Sequence, residues 1–314
     1  MENTGIQLIY ADGLDRSRLT LKTNVVYAER DKMTMHMQII CHEFKRTGLK
    51  YPLVVFVNAS GWMRPDSFSE IPQLTEIARC GYVVASIEHR GSDRERYTAD
   101  GALFPDHVVD TKEAVRFLRA HADDYGIDAR NVAVLGWATG AHTALMTAFT
   151  NGESRLDIGE NLDYSSDVQA VVAIDGETDL ENISRDRRES GIFSERDFLE
   201  NDYPIELLRL FGPDPQDYDH QMRLASPIRY VTPGKKLPAA LILNGDRNNV
   251  VPFRQAVRLY DRLRECGNTA ELYKLAGAGF LKGVWAPEVI NTIVSFLDIY
   301  LPLSTEVLRF GAKK

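Results

Sequence analysis

Residues 130–145 read NVAVLGWATGAHTALM. A short apolar strand, Val132–Leu135, runs into Gly136-Trp137-Ala138-Thr139-Gly140, and an apolar helical pattern follows. Strand, tight turn and helix around G-x-S-x-G expose a serine oxygen for nucleophilic attack. The glycines let the helix start against the strand while the central residue is held strained. Here that residue is Ala138, which has no hydroxyl. The turn that nucleophilic catalysis needs is present without its nucleophile.

Other residues able to move protons or bind metal are sparse. The seven histidines are His36, His42, His89, His107, His121, His142 and His220, so none lies beyond residue 220. His107 follows Phe104-Pro105-Asp106 at the start of an expected helix and is the best acid/base candidate, against a structural reading that general frequencies favour. Asp106 and His107 do not make a dyad by adjacency, because neighbouring helical residues point in different directions. Glu88-His89-Arg90 ends a strand where α/β sheets place ligand contacts, although an internal salt bridge is the simpler reading. Cys41, Cys80 and Cys266 have no metal or redox spacing. Cys80 and Cys266 each precede a glycine at an expected helix C-terminus, where the helix dipole disfavours a thiolate. No histidine and carboxylate set has convincing ligand spacing, so neither metal nor cofactor is implied.

The elements that must position these residues alternate. Asn24–Ala28 and Thr34–His42 suggest a β-hairpin, and Leu53–Val57 and Tyr82–Ile87 are continuous buried strands. Ile71–Cys80 and Val108–Ala122 carry apolar residues at helical spacing. After the turn come helix Ala141–Phe149, strand Ala170–Ile174, strand Ala239–Leu243, helix Arg254–Glu265, strand Ala270–Leu275 and helix Glu288–Leu301. Such alternation means a mostly parallel sheet covered on both faces. A charged, aromatic-bearing segment over about residues 181–222 interrupts the rhythm and reads as a helical lid inserted into a single domain spanning 1–314. Its basic run, Arg185-Asp186-Arg187-Arg188, reads as a solvated face.

The 314 residues are 44% hydrophobic and 26% charged, an ordinary globular composition. A formal net charge of −8 argues against a nucleic-acid partner. The first residues lack the basic and apolar regions of a signal peptide, and no apolar run approaches membrane-spanning length. A cytoplasmic protein with no membrane partner is the expectation, and homo-oligomerisation stays open.

The order of motifs resembles the α/β-hydrolase superfamily, within it the esterase/lipase-like group related to acetyl-xylan and feruloyl esterases and to prolyl oligopeptidase catalytic domains. Pro52–Val57 followed by Asn58-Ala59-Ser60-Gly61-Trp62 is similar to the strand and oxyanion loop of that group. Gly81–Ser86, Phe104-Pro105, Asp110–Leu118, the Ala138 turn, Thr178-Asp179-Leu180, Ala225-Ser226-Pro227, Gly245-Asp246, Val251-Pro252-Phe253 and Gly277-Ala278-Gly279 follow in the same order. Together they cover roughly residues 20–302. The resemblance implies a central, mostly parallel sheet flanked by helices.

In that superfamily a serine attacks, a histidine takes its proton and a carboxylate orients the histidine. The resemblance puts these roles at Ala138, Phe280 and Asn248, so all three members are replaced. A laboratory Ser→Ala change would explain Ala138 alone, but neither of the other two positions. Loss of a triad typically costs about 10^6-fold in turnover. The expected function is therefore a pseudo-hydrolase that binds a small molecule or partner. The alternatives are a lyase, isomerase or cyclase using the same pocket, or a weak ester hydrolase with unconventional residues. The Thr139 amide and the Ser60/Gly61 loop would offer an anion- or carbonyl-binding corner. Asn58, Ser60, Gly61, Trp62, Trp137 and Thr139 would line the ligand site, with Trp62 read chiefly as packing.

Overall fold

The computed structural model describes residues 18–30, 32–43, 49–92, 102–191, 204, 206–213, 217–280 and 282–304. Eight strands form one sheet: β1 (Leu19–Arg30), β2 (Met33–His42), β3 (Tyr51–Val57), β4 (Val83–Ile87), β5 (Ile127–Trp137), β6 (Ala170–Ile174), β7 (Ala239–Arg247) and β8 (Ala270–Gly279). Their spatial order is β1-β2-β4-β3-β5-β6-β7-β8. The hairpin β1–β2 joins antiparallel to β4, and every pairing from β4 to β8 is parallel. This is the α/β-hydrolase fold expected from the motif order.

The helices are α1 (Ile71–Arg79), α2 (Asp106–Ala120), α3 (Ala122–Tyr125), α4 (Thr139–Phe149), α5 (Leu180–Glu189), α6 (Leu207–Phe211), α7 (Tyr218–Ala225), α8 (Phe253–Glu265) and α9 (Pro287–Tyr300). The alternation of side chains across each strand divides the core between two faces. Leu53, Val55 and Val57 of β3 face the cluster built by α2, α4 and α8, while Val54 and Phe56 face the one built by α1 and α9. With both faces covered, the central paired lengths of β3 through β6 are almost wholly apolar, with Ser86 of β4 an exception. That is why they read as continuous apolar runs.

Between β6 and β7 the chain leaves the sheet and forms α5, α6 and α7. Residues 192–203, 205 and 214–216 of the expected 181–222 insertion lie outside the described residues. Its described part brings a small apolar cluster of its own, in which Leu207, Leu210, Phe211, Tyr218 and Met222 pack on Trp62. The basic run here is only partly solvated, a correction to the expectation. Arg185 is exposed, but Asp186 and Arg187 are buried. Asp186 takes a two-pronged salt bridge from Arg258 of α8, and the Arg187 Nε donates to the Val250 carbonyl at 2.7 Å. No described helix is long and apolar enough to cross a membrane.

Candidate active-site elbow

Parallel pairing of β5 with β6 places Trp137 beside Ile174 at the carboxyl edge of the sheet, and the chain turns there. Ala138 adopts φ 49 and ψ −123, a region that costs a residue with a Cβ about 1–3 kcal/mol. The surroundings hold it there. The Ala138 amide donates to the Ile174 carbonyl at 2.8 Å, and the Ala138 carbonyl accepts from Ala141 and His142 at 2.8 and 3.1 Å. The flanking glycines are dictated by close approach. A Cβ on Gly136 would lie 2.2 Å from the Gly140 oxygen, and one on Gly140 would lie 2.1 Å from the Val57 oxygen. The elbow is fully built around a methyl group.

Two amides of the neighbouring loop are already occupied. Ser60 and Gly61 both donate their amides to the Thr139 Oγ1, at 3.1 and 3.0 Å. The expected second donor of a carbonyl-binding corner is thus occupied by a side chain of the elbow itself. The Thr139 hydroxyl, one residue past the apex, reaches across the mouth of the turn to the loop that follows β3. Asn58 is also spent internally, accepting from Ala59 at 2.7 Å and donating to the Asp66 carbonyl at 3.1 Å. Only the Ser60 hydroxyl of this loop lacks a partner.

Trp62 is buried and donates its Nε1 proton to His142 Nδ1 at 3.2 Å, while His142 Nε2 lies 2.7 Å from the Ala225 carbonyl. These partners fix the neutral imidazole with its proton on Nε2. Burial depresses the His142 pKa to about 4, against the opposing Ala225 carbonyl. His107 sits in the same buried layer, its ring 5.9 Å from each of His89, Phe104 and His142. Burial first, and then His89, His142 and Arg90, hold its pKa well below the usual imidazole range; its Nε2 has no partner. Arg90 forms an internal salt bridge with Asp110 and Asp106, so Glu88-His89-Arg90 ends in a closed ion network.

The other wall comes from the ends of β6 and β7. Asn248, where the resemblance expects the carboxylate, is buried and accepts the Val250 and Val251 amides on its Oδ1 at 3.0 and 2.9 Å. Its Nδ2 has no partner. Asp246 instead faces outward and accepts the Gly277 amide at 2.8 Å. Phe280, where the resemblance expects the histidine, directly follows β8 and is 39% exposed. Trp137 is buried against Trp285, ring centroids 6.3 Å apart, with neither indole N–H partnered. A cavity of about 410 Å³ opens along β8 and the start of α9, lined by Gly277, Ala278, Lys274, Lys282 and Val289 among others.

Two residues that sequence reasoning did not single out complete this wall. Asp175 directly follows Ile174, so it stands beside Ala138, and it has φ 53. It is 1% exposed; its Oδ1 accepts the Gly245 amide at 2.9 Å and its Oδ2 has no partner. Burial pushes its carboxyl up to about 6, with the Gly245 amide and the nearby Asn248 side chain opposing. Glu177 is also buried, 4.0 Å from Arg187, with its Oε2 unpartnered. Burial pushes it up to about 7 against the pull of Arg187, and Asp175 and Glu206 add to the rise. Alternating acids, Asp175-Gly176-Glu177-Thr178-Asp179, immediately after a buried strand were the available signal.

Comparison with known proteins agrees with this architecture. A model of the BD-FAE family matches residues 37–263. Esterase LipC of Mycobacterium tuberculosis is 29% identical over 255 residues, covering 79% of this chain and 58% of that protein. Esterase LipQ of the same organism is 26% identical over 231 residues, covering 72% of this chain and 49% of that protein. The chain thus spans about half the length of the relatives it matches. Among solved structures, a truncated carbohydrate esterase from gut microbiota superposes with a TM-score of 0.73 at 23% identity, covering 91% of this chain and 97% of the other. Esterase 2 of Thermogutta terrifontis, phosphorylated by paraoxon, gives 0.67 at 21% identity and covers 95% of this chain and all of the other.

Proposed function

Because the chain belongs to the BD-FAE family of esterase-like α/β-hydrolases, we propose that it is a pseudo-hydrolase: it keeps the elbow to bind a ligand and does not cleave esters through a serine. The observation that carries this reading is the Thr139 hydroxyl on the Ser60 and Gly61 amides, beside an apex that is only a methyl. Serine chemistry needs a nucleophile, a base and donors kept free for the oxyanion. Ala138 supplies no nucleophile, no histidine follows residue 220 to act as base, and Thr139 takes the loop donors. The insertion between β6 and β7 acts in this reading as a lid anchored on Trp62.

A non-hydrolytic enzyme is the second reading, favoured by the unpartnered, buried carboxyl oxygen of Asp175 beside the elbow. A carboxyl with a pKa near neutrality is suited to moving protons. His107 is the weaker agent for it, since its ring neighbours are Phe104, His89 and His142.

Turnover of p-nitrophenyl acetate and butyrate by the wild type and by Ala138→Ser tests the proposal. Both are expected to stay within about 10^4-fold of the uncatalysed rate. Saturable turnover by the wild type at about 10 per second, typical of working enzymes, would overturn it.

A further inference from the structure

The proposed ligand site leaves a charge unaccounted for. Glu177 and Glu206 share one guanidinium, Arg187, and the Asp175 carboxylate close to Glu177 adds to the negative charge there. Arg187 is hydrogen-bonded to Glu206 and to the Val250 carbonyl, and stands only at 4.0 Å from Glu177. The next cations along are committed: Arg258 to Asp179 and Asp186, and Arg254 to Glu189 and Asp186. Asp175 itself has no ion pair among the described residues, although it is 1% exposed. A buried carboxylate without a counter-charge costs several kcal/mol unless it takes up a proton or meets a cation.

Hydrogen bonding is incomplete at the same place. Asp175 Oδ2 and Glu177 Oε2 have no donor at hydrogen-bond geometry, and the Asn248 side-chain amide close to Asp175 is itself left unpartnered at Nδ2. Buried polar atoms in folded proteins nearly always have partners, so a cluster of exceptions at one wall asks for an occupant. Asp175 follows the end of β6 with a left-handed backbone, and its side chain reaches the Gly245 amide of β7 and the neighbouring Asn248 side chain. Trp137, paired beside Ile174, packs on Trp285, so aromatic rings lie close to this edge of the sheet.

We propose that the site between the ends of β6 and β7 binds the ammonium group of a primary amine, with Asp175 as its counter-ion and Glu177 as a second acceptor. An ammonium donates three hydrogen bonds and carries the missing positive charge, whereas a hydroxyl carries none and a carboxylate would add to the excess. The proposal rests on the ligand-binding reading above and names the chemistry of that ligand.

Calorimetric titration of the full chain at pH 8 with benzylamine, benzyl alcohol and benzoate tests it, since the three probes share a ring and differ in charge. Benzylamine is expected to bind the wild type, to bind Asp175→Asn at least tenfold more weakly, and to weaken on Glu177→Gln. The alcohol and benzoate are expected not to bind. Equal binding of amine and alcohol, equal binding of amine to wild type and Asp175→Asn, or no binding of any probe would overturn it. Should Asp175→Asn fail to fold, Glu177→Gln carries the same comparison. Ester turnover by the wild type would sink the pseudo-hydrolase reading without touching this result, so the two failures are told apart.

Discussion

The two walls of the elbow are built on opposite terms. On the β3 side, all but the Ser60 hydroxyl closes on itself: Thr139 takes the Ser60 and Gly61 amides, and Asn58 is bonded at both ends of its amide. On the β6–β7 side, Asp175, Glu177 and Asn248 each keep one buried polar atom without a partner. In a working serine hydrolase the oxyanion donors are the unsatisfied groups, waiting for the transition state. Here the Ser60 and Gly61 amides are taken, and most of the unsatisfied groups stand across the apex. A closed wall contributes stability, and an open one keeps a site at the expense of stability.

Substitutions can break this contrast from either side. The largest effect is expected at Gly140, where a Cβ would lie 2.1 Å from the Val57 oxygen and 2.6 Å from the Asn58 oxygen. Both are backbone atoms that cannot swing away, so Gly140→Ala should lose roughly 3–5 kcal/mol in denaturant unfolding, or fail to fold.

Second in size is an acid-side loss of stability from His142. Its folded pKa, about 4, lies below the unfolded value, so the unfolded state binds more protons between the two. Stability is then complete above about pH 6.5 and falls as pH drops towards 4, by about 3 kcal/mol from this residue. Urea midpoints measured between pH 7 and 4 should show that fall. A His142→Gln variant, neutral throughout, should lack this residue's share of it, while buried His107 keeps its own.

The closed wall itself is tested by Thr139→Val, which keeps the shape and removes the acceptor. Ser60 and Gly61 are only half-buried, so water can partly replace the hydroxyl, and the loss should be about 1–2 kcal/mol. Thr139→Ser should cost less, and amide hydrogen exchange at Ser60 and Gly61 should accelerate only in the valine variant.

The smallest effect has the opposite sign. A carboxyl whose folded pKa is raised destabilises the protein once pH climbs past its unfolded value, and Asp175 is raised to about 6. Asp175→Asn should therefore gain about 1–2 kcal/mol at pH 8 and almost nothing at pH 4. A loss at pH 8 would mean that the carboxylate is compensated after all.

Much of this was legible in the sequence. Strand β6 matches its expected bounds, and α4, α8 and α9 begin or end within two residues of them, because period and turn residues specify such elements locally. Ala138 was legible because its glycines fix the turn. The use of the Thr139 hydroxyl was not, since the bond joins residues 79 and 78 positions apart along the chain, through the packing of β3 on β5. Asp175 and Glu177 were in plain sight as acids after a strand. Their surroundings come from tertiary contacts, Asp175 with Gly245 and Glu177 with Arg187, which no local pattern reveals.

The most direct measurement of the central contrast is ester turnover in a rebuilt elbow. A variant carrying Ala138→Ser, Asn248→Asp and Phe280→His would be compared with the same variant carrying Thr139→Ala, using p-nitrophenyl acetate. One oxyanion donor is worth roughly 10^2–10^3 in turnover. Freeing the Ser60 and Gly61 amides from the Thr139 Oγ1 should therefore raise the rate by about a hundredfold. Equal rates with and without Thr139 would contradict the account.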